Sequence, residues 1–484
     1  MWKYKIMIFI MLITTYYFSI QEPLLGDEGL YSIAIKDNIE LGLQPTATYF
    51  GETMYWKPSL MFNVYAIIAS PFYKLVPEEI LFRTISLLFV IASLFVLFHF
   101  FKNEFNDEKK AYLGIILILI TPGFFGFSVR VLTDTIVFLF FGILLYTTQK
   151  FEKYNKLFFM LSIIGIGLSK SLVLSILGFM MGIIYYYHKY KKINFEIMIL
   201  SIISIILILS YSQILGINKL NIGDILRTNN IEINSNLQKY TITTILFYGL
   251  SLISLIYFKK DLIYMFTTFF ILYLIFNNSI GLPWYIFPIL PFISILFLNL
   301  NLGKIKELII ILFIWNIIFS YMVFHGLYAG NHNMNKSTML NLNETIYIGR
   351  LGEVIANEIY NYKGVVVTPQ NSFPDGKNEQ WYGDRTKMTK ENLLGLIYDY
   401  ENPKWWPKYT EDLTIEEKYI PPISRTHKTF DGPFKQIIIE EQYYLLIENV
   451  ILNDYDLIKI IDEEKTEDKV EQKMYVLSIK EKLE

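Results

Sequence analysis

Residues 80–101 read ILFRTISLLFVIASLFVLFHFF, and this stretch decides the fold class. It is long enough for a transmembrane α-helix, which needs about 20 mostly apolar residues. The composition agrees, because 53% of the 484 residues are hydrophobic, 18% are charged and the mean hydropathy is +0.37. Further apolar runs lie at 4–20, 111–127, 135–148, 157–168, 171–187, 195–211, 240–258, 262–276, 284–300 and 305–324. The sequence therefore predicts a polytopic α-helical membrane protein with about eleven transmembrane helices.

The tail of the chain differs from the rest. Residues 1–330 carry 24 Lys and Arg against 18 Asp and Glu, whereas residues 331–484 carry 19 against 27. The tail has no apolar run of membrane length, and it mixes strand-like and helix-like patterns at 364–369, 390–399, 436–439 and 443–447. These observations predict two domains, a transmembrane domain at 1–327 with an external loop at 21–79, and a small α/β domain at 328–484.

Composition also excludes several kinds of site. The chain has no cysteine, so disulfides, thiolate metal sites and cysteine nucleophiles are excluded. Its five histidines include no close pair, which argues against a histidine-rich metal centre. A pI of about 6.3 offers no basic surface for nucleic acid.

The distribution of lysines predicts the topology. If residues 59–76 form a helix at the membrane surface, every lysine cluster near a span falls on one side: Lys3/Lys5, Lys102/Lys109/Lys110, Lys150/Lys153/Lys156, Lys189/Lys191/Lys192, Lys259/Lys260 and Lys304/Lys306. The short loops opposite carry little beyond Arg130 and Lys170. The positive-inside rule then predicts a cytoplasmic-membrane protein with a cytoplasmic amino terminus and an extracytoplasmic tail. If residues 59–76 crossed the membrane, the later clusters would oppose Lys3 and Lys5.

Two adjacent carboxylates open the first external loop. Asp27 and Glu28 precede a helical pattern in which Tyr31, Ala34, Ile35, Asn38 and Ile39 share one face. Asp is a favoured N-cap residue, so capping explains Asp27 without any further role. Carboxylates held at a helix start also serve as general bases or as ligands for a divalent cation. Both interpretations stay open, and one carboxylate can do both.

Basic residues accompany further helix starts on the same predicted side. Lys57-Pro58 stands before the surface helix, with Pro58 in the first-turn position that suits its missing N–H. Lysine there either extends toward lipid headgroups or binds a phosphate as a point charge. Arg130 and Asp134 flank the start of the next apolar helix, where Asp134 is a candidate N-cap. Lys170 lies between two later spans, so all these groups face one side.

In order and spacing, these motifs resemble the GT-C superfamily of polyprenyl-phosphate-sugar glycosyltransferases. Within that superfamily, the resemblance is to the lipid-A aminoarabinose transferase and protein O-mannosyltransferase branch. It covers most of residues 1–300, including the PWYIFPILP run at 283–291, and extends loosely to WYGDR at 381–385. A glycine often follows the family's lysine, whereas this chain has Ser171 after Lys170.

The resemblance implies a fold, a reaction and a set of roles. The fold is GT-C-like, and a sugar moves from a polyprenyl-phosphate carrier to an acceptor hydroxyl on a lipid, glycan or protein at the extracytoplasmic face, with inversion. Asp27 beside Glu28 matches the base. Lys57, Arg130 and Lys170 match groups that bind the donor phosphate. Asp134 either orients Lys57 or joins Asp27 at a divalent metal ion, and metal dependence stays open because members of the family differ.

Two other classes of function fit the same helices. A transporter or flippase of lipid-linked or small polar substrates has a similar number of apolar helices, but carriers place ionisable residues near the bilayer midplane. The candidate charges here cluster at one membrane edge instead. A structural or assembly protein would use Asp27 and Asp134 only as caps.

Overall fold

The computed structural model describes residues 2–20, 24, 27–49, 52–215, 287–288, 290–299, 345–348, 365–367, 390, 393–394, 397, 423–424, 435–462 and 473–480. The chain divides into two compact units. Unit 1 comprises Met1–Pro23, Leu43–Ala47 and Tyr55–Leu327, and unit 2 comprises Leu24–Gly42, Thr48–Met54 and Tyr328–Glu484. Two stretches of the predicted external loop therefore group with the tail.

The helices and strands follow one another along the chain in a helix-rich first part and a mixed tail. They are α1 (Trp2–Ile20), α2 (Asp27–Glu40), β1 (Thr46–Tyr49), β2 (Glu52–Pro58), α3 (Leu60–Ala69), α4 (Glu78–Phe105), α5 (Glu108–Leu119), α6 (Pro122–Phe127), α7 (Thr133–Gln149), α8 (Lys153–Ser169), α9 (Leu172–Tyr190), α10 (Phe195–Leu215), α11 (Leu290–Asn299), β3 (Thr345–Ile348), β4 (Val365–Val367), β5 (Ile423–Ser424), β6 (Gln436–Glu440), α12 (Glu441–Ile451), β7 (Tyr455–Asp462) and β8 (Lys473–Ile479).

The described part of the chain contains three helices that are long and apolar enough to cross a membrane, α1, α4 and α10. Several predicted spans coincide with described helices, but the one at 111–127 is divided. α5 ends at Leu119 and α6 begins at Pro122, since proline lacks the N–H that a continuing helix needs. The predicted spans at 240–258, 262–276 and 305–324 lie outside the described residues.

Helix α7 organises unit 1. It packs against α4, α8 and α9, and most of its side chains are buried. Gly142 faces α4, where a Cβ would make ordinary van der Waals contact, 3.5 Å from Leu97 Cγ and 3.7 Å from the Ser93 carbonyl oxygen. Close helix packing through small residues is common among membrane helices. α7 has 17 residues, so its two ends lie about 25 Å apart.

A polar cluster joins three helix ends at the C-terminal end of α7. Glu104 of α4 accepts hydrogen bonds from Gln149 Nε2 at 3.0 Å, from Lys189 Nζ at 3.1 Å and from the Tyr185 hydroxyl. Gln149 Nε2 also donates to the Phe100 carbonyl oxygen at 3.2 Å. The ends of α4, α7 and α9 therefore meet, and this is the lysine-rich end of the described helices, as the charge pattern predicts.

We expect Glu104→Ala to destabilise unit 1, because it leaves the partly buried Lys189, Tyr185 and Gln149 groups without their shared acceptor. The expected cost is about 1–3 kcal/mol. Thermal unfolding of the purified protein measures it. The matched control is Lys156→Ala, which removes the exposed Lys156–Glu196 ion pair of 2.7 Å and should cost roughly 0–1 kcal/mol. Equal losses for the two variants would show that the cluster does not brace these helices.

Helix α3 lies within the segment for which the sequence predicts a surface helix, but it is shorter than that segment. It has ten residues and is about 15 Å long, half the thickness of an apolar membrane core, so it cannot span. The remainder of 59–76 forms turns after Ala69. The predicted first-turn position of Pro58 is wrong, because Ser59 is the N-cap and Pro58 is the last residue of β2.

The tail of unit 2 contains a six-stranded sheet with the order β5-β4-β3-β6-β8-β7. β3 pairs in parallel with β4 and β6, and the other pairs are antiparallel. α12 follows β6 directly and packs Tyr443 and Ile447 onto the buried Ile437 and Leu477. The strand patterns at 364–369 and 436–439 correspond to β4 and β6, whereas residues 443–447 lie in α12. Described residues of 390–399 are helical.

The acidic segment Asp454-Tyr455-Asp456 lies at the start of a strand in the sheet domain. It starts β7, where Tyr455 is fully buried and both carboxylates are exposed. Burial, followed by the charge of Asp454, raises the pKa of Tyr455 to about 12. The phenol is therefore neutral at physiological pH and belongs to the core of the sheet domain.

Helix α2 belongs to unit 2 and differs from the one-faced helix that the sequence predicts. Every residue from 31 to 38 is buried, including the charged Lys36 and Asp37. Thr48 Oγ1 donates to the Asn38 side-chain oxygen at 3.3 Å. Buried charged side chains need ion pairs or hydrogen bonds, because burial without them costs free energy. The polar residues of α2 are therefore needed for its packing as well as for any chemical role.

Candidate active site

An ion pair between Asp134 and Lys170 is the centre of the candidate site in unit 1. The Lys170 ammonium contacts Asp134 Oδ1, and the two side chains are 12% and 6% exposed respectively. The residues are 36 positions apart in sequence. Thr133 Oγ1 lies 3.4 Å from the second carboxylate oxygen, Asp134 Oδ2. Buried charges need this kind of pairing, because an unpaired charge is costly to remove from water.

The ends of two helices favour this pairing. Asp134 lies in the first turn of α7, where the helix dipole stabilises a negative charge, and Lys170 terminates α8, where the dipole stabilises a positive charge. The N-cap interpretation of Asp134 is wrong, since Leu132 is the N-cap residue of α7. Ser171 is the N-cap residue of α9, and its hydroxyl oxygen accepts a hydrogen bond from Leu174 N at 3.4 Å.

Arg130 lies in the buried loop that leads into α7. Its side chain is 2% exposed, and its guanidinium carbon lies 5.4 Å from the centroid of the Phe127 ring. Arginine stacks on an aromatic face in this way without losing its capacity to donate hydrogen bonds. All five residues from Ser128 to Leu132 are buried, so the backbone that carries Arg130 has little freedom to move.

Sequence reasoning missed Arg83. It lies in the first turns of α4, its side chain is fully buried, and its guanidinium donates to the carbonyl oxygen of Ser19. Ser86, one turn later, donates to the Arg130 carbonyl oxygen at 3.0 Å. The available signal was Arg83 itself, the single charged residue of the apolar run at 80–101.

The other predicted residues lie on elements whose backbone is described. Lys57 is in β2 of unit 1, two residues before Ser59, and its side chain lies outside the described residues. Asp27 is the first residue of α2 in unit 2, and its side chain also lies outside them. Glu28 is 1% exposed in the first turn of α2. The structure thus brings Asp134 and Lys170 together in unit 1 and places Arg130 in the loop before α7.

The predicted metal site is described only in part, because the side chain of Asp27 lies outside the described residues. None of them form a group of three or more His, Cys, Asp or Glu side chains that could hold one. The predicted metal ligand Asp134 has the Lys170 ammonium on one carboxylate oxygen and the Thr133 hydroxyl near the other. A cation already neutralises this carboxylate, so no step through a metal is derived.

The arrangement is suited to binding an anion at the end of an apolar bundle. Lys170 and Arg130 supply buried cationic groups, and Lys57 stands before α3 in the same unit. Asp134 holds the Lys170 ammonium in one position, so the lysine is oriented before any ligand arrives. Preorganised donors of this kind stabilise the charge that develops on a leaving oxygen.

Comparison with known proteins identifies the fold. No protein-family model matches the chain, and no curated protein does. The crystal structure of ArnT from Cupriavidus metallidurans bound to undecaprenyl phosphate matches with 10% sequence identity and a TM-score of 0.59, over 96% of this chain and 96% of that chain. The apo state of the same protein matches with 10% identity and a TM-score of 0.58, over 97% of this chain and 96% of that chain.

The fold is therefore of the GT-C type, that of a multi-pass membrane protein with a small C-terminal sheet domain. The likeness in fold extends over 96% of the ArnT chain. The predicted GT-C-like fold with a small C-terminal α/β domain is confirmed, and so is the predicted structural resemblance to the lipid-A aminoarabinose transferase, whereas the number of transmembrane helices stays a prediction.

Proposed function

We propose that the protein is a membrane glycosyltransferase that moves a sugar from a polyprenyl-phosphate carrier to an acceptor hydroxyl. The observation that carries the proposal is the buried Asp134–Lys170 ion pair. Arg130 lies in the loop before α7, and the fold of the chain resembles that of ArnT. The ArnT crystal structure contains undecaprenyl phosphate, a lipid with an anionic head. Such a lipid suits cationic groups at one end of apolar helices.

The proposed reaction breaks one bond and forms another at the anomeric carbon of the sugar. The acceptor oxygen attacks that carbon, and the bond between the carbon and the phosphate oxygen breaks. The polyprenyl phosphate leaves with the bonding electrons, and the acceptor proton passes to Asp27. Attack from the face opposite the phosphate inverts the anomeric configuration. The assignment of Asp27 as the base rests on the sequence resemblance, and Glu28 accompanies it in the first turn of α2.

The cationic residues act on the leaving phosphate. Lys170, oriented by Asp134, and Arg130 neutralise the charge that grows on the phosphate oxygens, and Lys57 is the third candidate. A single preorganised donor in such a site contributes roughly 2.7–4 kcal/mol to transition-state stabilisation. The sequence resemblance implies that Asp134 either orients Lys57 or joins Asp27 at a divalent metal ion. The contact in unit 1 supports Lys170 as the residue that Asp134 orients.

The proposed location is the extracytoplasmic face of the cytoplasmic membrane. Asp134 and Lys170 lie at the end of α7 opposite Gln149 and the polar cluster around Glu104. Lys102, Lys150 and Lys189 are near that second end, which the positive-inside rule assigns to the cytoplasm. The acceptor is a lipid, glycan or protein hydroxyl.

Cells that lack the protein test this function. We expect them to accumulate one polyprenyl-phosphate sugar and to lose one sugar from a surface glycoconjugate, both measured by mass spectrometry. Wild-type protein supplied in trans should reverse both changes. Accumulation of no lipid-linked sugar, together with unchanged surface glycans, would contradict the proposal. The mass of the accumulated lipid identifies the sugar.

A further inference from the structure

Two hydrogen-bonded hydroxyl groups connect α3, α4 and the loop that carries Arg130. The Tyr65 hydroxyl of α3 lies 2.7 Å from Ser86 Oγ of α4, and Ser86 Oγ donates to the Arg130 carbonyl oxygen at 3.0 Å. Tyr65 and Ser86 are both fully buried. The three residues belong to different elements, so these two hydrogen bonds fix the distance between α3 and the loop that carries Arg130.

The direction of the hydrogen bonds follows from chemistry. Ser86 has one hydroxyl proton, and the carbonyl oxygens near it, those of Arg130 at 3.0 Å and Phe82 at 3.3 Å, only accept. Ser86 therefore donates to a carbonyl, and Tyr65 must donate to Ser86 Oγ. Hydrogen bonds arranged in one direction strengthen one another, so loss of the Tyr65 hydroxyl weakens the Ser86 contact as well.

The Arg130 carbonyl is held by more donors than an ordinary loop carbonyl. Besides Ser86, it accepts from Leu132 N at 2.8 Å and from Thr135 Oγ1 at 3.3 Å. Thr135 Oγ1 also donates to the Ser128 carbonyl oxygen at 3.1 Å. The loop is thus attached to α7 by Thr135 and to α4 by Ser86, and among the contacts described the Ser86 contact continues to α3.

Helix α3 is itself fixed at the side away from Ser86. The Asn63 side chain donates to the Gln44 carbonyl oxygen at 2.7 Å and accepts from Gln44 N at 3.2 Å. Ser59 Oγ donates to the Pro45 carbonyl oxygen at 2.7 Å. Lys57 lies in β2, two residues before Ser59, so the strand end that carries Lys57 is joined through α3 and Tyr65 to the loop of Arg130.

We infer that Tyr65 and Ser86 are positioning residues that hold Arg130, and through α3 Lys57, in the arrangement that binds the phosphate of a polyprenyl-phosphate lipid. The inference rests on the proposed function and names two residues that neither the sequence motifs nor the fold comparison identify. Neither residue is assigned a contact with substrate. Both act through the backbone of the phosphate-binding residues.

The test uses the full-length protein in lipid nanodiscs and measures its affinity for undecaprenyl phosphate. Ser86→Ala and Tyr65→Phe should each weaken binding by about 3- to 10-fold, the equivalent of one hydrogen bond. The double variant should bind undecaprenyl phosphate no more weakly than Ser86→Ala alone, because the two hydroxyls act in series. Ser86→Thr retains the hydroxyl and should restore the wild-type affinity.

Two matched controls separate positioning from general stability. Tyr16→Phe removes a tyrosine hydroxyl that lies 2.7 Å from Thr84 Oγ1, also on α4, and Ser93→Ala removes a buried α4 hydroxyl that bonds only the Phe89 carbonyl among the contacts described. Both controls should lower the melting temperature as much as the test variants while binding undecaprenyl phosphate within about twofold of wild type, since they leave the contacts of Arg130 intact.

The outcomes distinguish the inference from the proposed function. Equal binding losses for Ser86→Ala and Ser93→Ala would overturn the positioning role even if the protein transfers sugar. Weakened binding in Ser86→Ala alone, in a protein that transfers no sugar, would support the positioning role and contradict the transfer reaction. A wild-type protein that does not bind undecaprenyl phosphate would overturn both.

Discussion

Replacing Asp134 with Asn should lower sugar transfer by about 10²- to 10³-fold, the effect of losing one preorganised charge-stabilising group. The substitution keeps the size of the side chain but removes the carboxylate charge that contacts the Lys170 ammonium, whose side chain is 12% exposed. Removing one charge of a buried ion pair is destabilising, so the ammonium is no longer held in its position. The phosphate site then loses an oriented positive charge. Initial rates of transfer at saturating acceptor measure the loss.

The double variant Asp134→Asn with Lys170→Met separates stability from activity. Removing both charges of a buried pair is commonly neutral or stabilising, whereas removing one costs roughly 3–5 kcal/mol. The double variant should therefore melt at a higher temperature than Asp134→Asn and remain just as inactive. Glu196→Gln, which removes an exposed ion pair on α10, serves as the control with unchanged activity. Recovery of transfer in the double variant would show that the pair has only a structural role.

Replacing Asp27 with Asn should abolish transfer, with a loss of about 10²- to 10⁴-fold if the carboxylate is the general base. Asparagine has the same shape and still accepts hydrogen bonds, but it cannot take the acceptor proton. α2 begins at Asp27, so a fold that needs only a polar group at this helix start tolerates Asn. The purified variant should keep its wild-type melting temperature.

The control for Asp27 comes from the same helix. Glu40→Gln neutralises an exposed carboxylate at the opposite end of α2 and should leave the rate unchanged. An Asp27→Asn protein that turns over its donor at the wild-type rate would remove Asp27 from the catalytic role. An inactive Asp27→Asn protein with a lowered melting temperature would point to capping instead.

The sequence predicts the apolar helices well because their signal is local. Runs of apolar residues mark α1, α4 and α7 to α10 within a few residues, since each helix satisfies its own backbone in lipid. Errors occur where a neighbouring element decides the outcome. Whether residues 443–447 form a strand or a helix depends on the packing of α12 on β6 and β8, which the periodicity of five residues cannot show. The sequence pattern of α2 predicts one buried face, but the helix is buried on every side, so that prediction is wrong.

The contact between two of the predicted site residues could not be predicted from the sequence. Asp134 and Lys170 were identified by residue type and by their predicted side, yet their contact joins positions 36 residues apart and depends on how α7 and α8 pack. The same reason hides the Glu104 cluster, whose hydrogen bonds to Gln149 and Tyr185 join residues 45 and 81 positions apart. Serine and tyrosine hydroxyls such as Ser86 and Tyr65 give no signal at all, because those residue types are common in apolar helices.

Transfer by the purified protein in proteoliposomes tests the central claim most directly. The donor is the radiolabelled polyprenyl-phosphate sugar that accumulates in cells lacking the protein, offered with an extract of acceptor molecules. We predict that label moves to the acceptor, that free polyprenyl phosphate appears in equal amount, and that Asp27→Asn gives neither product. Label that crosses the bilayer while still attached to its prenyl carrier, with no release of polyprenyl phosphate, would contradict the claim and identify a transporter.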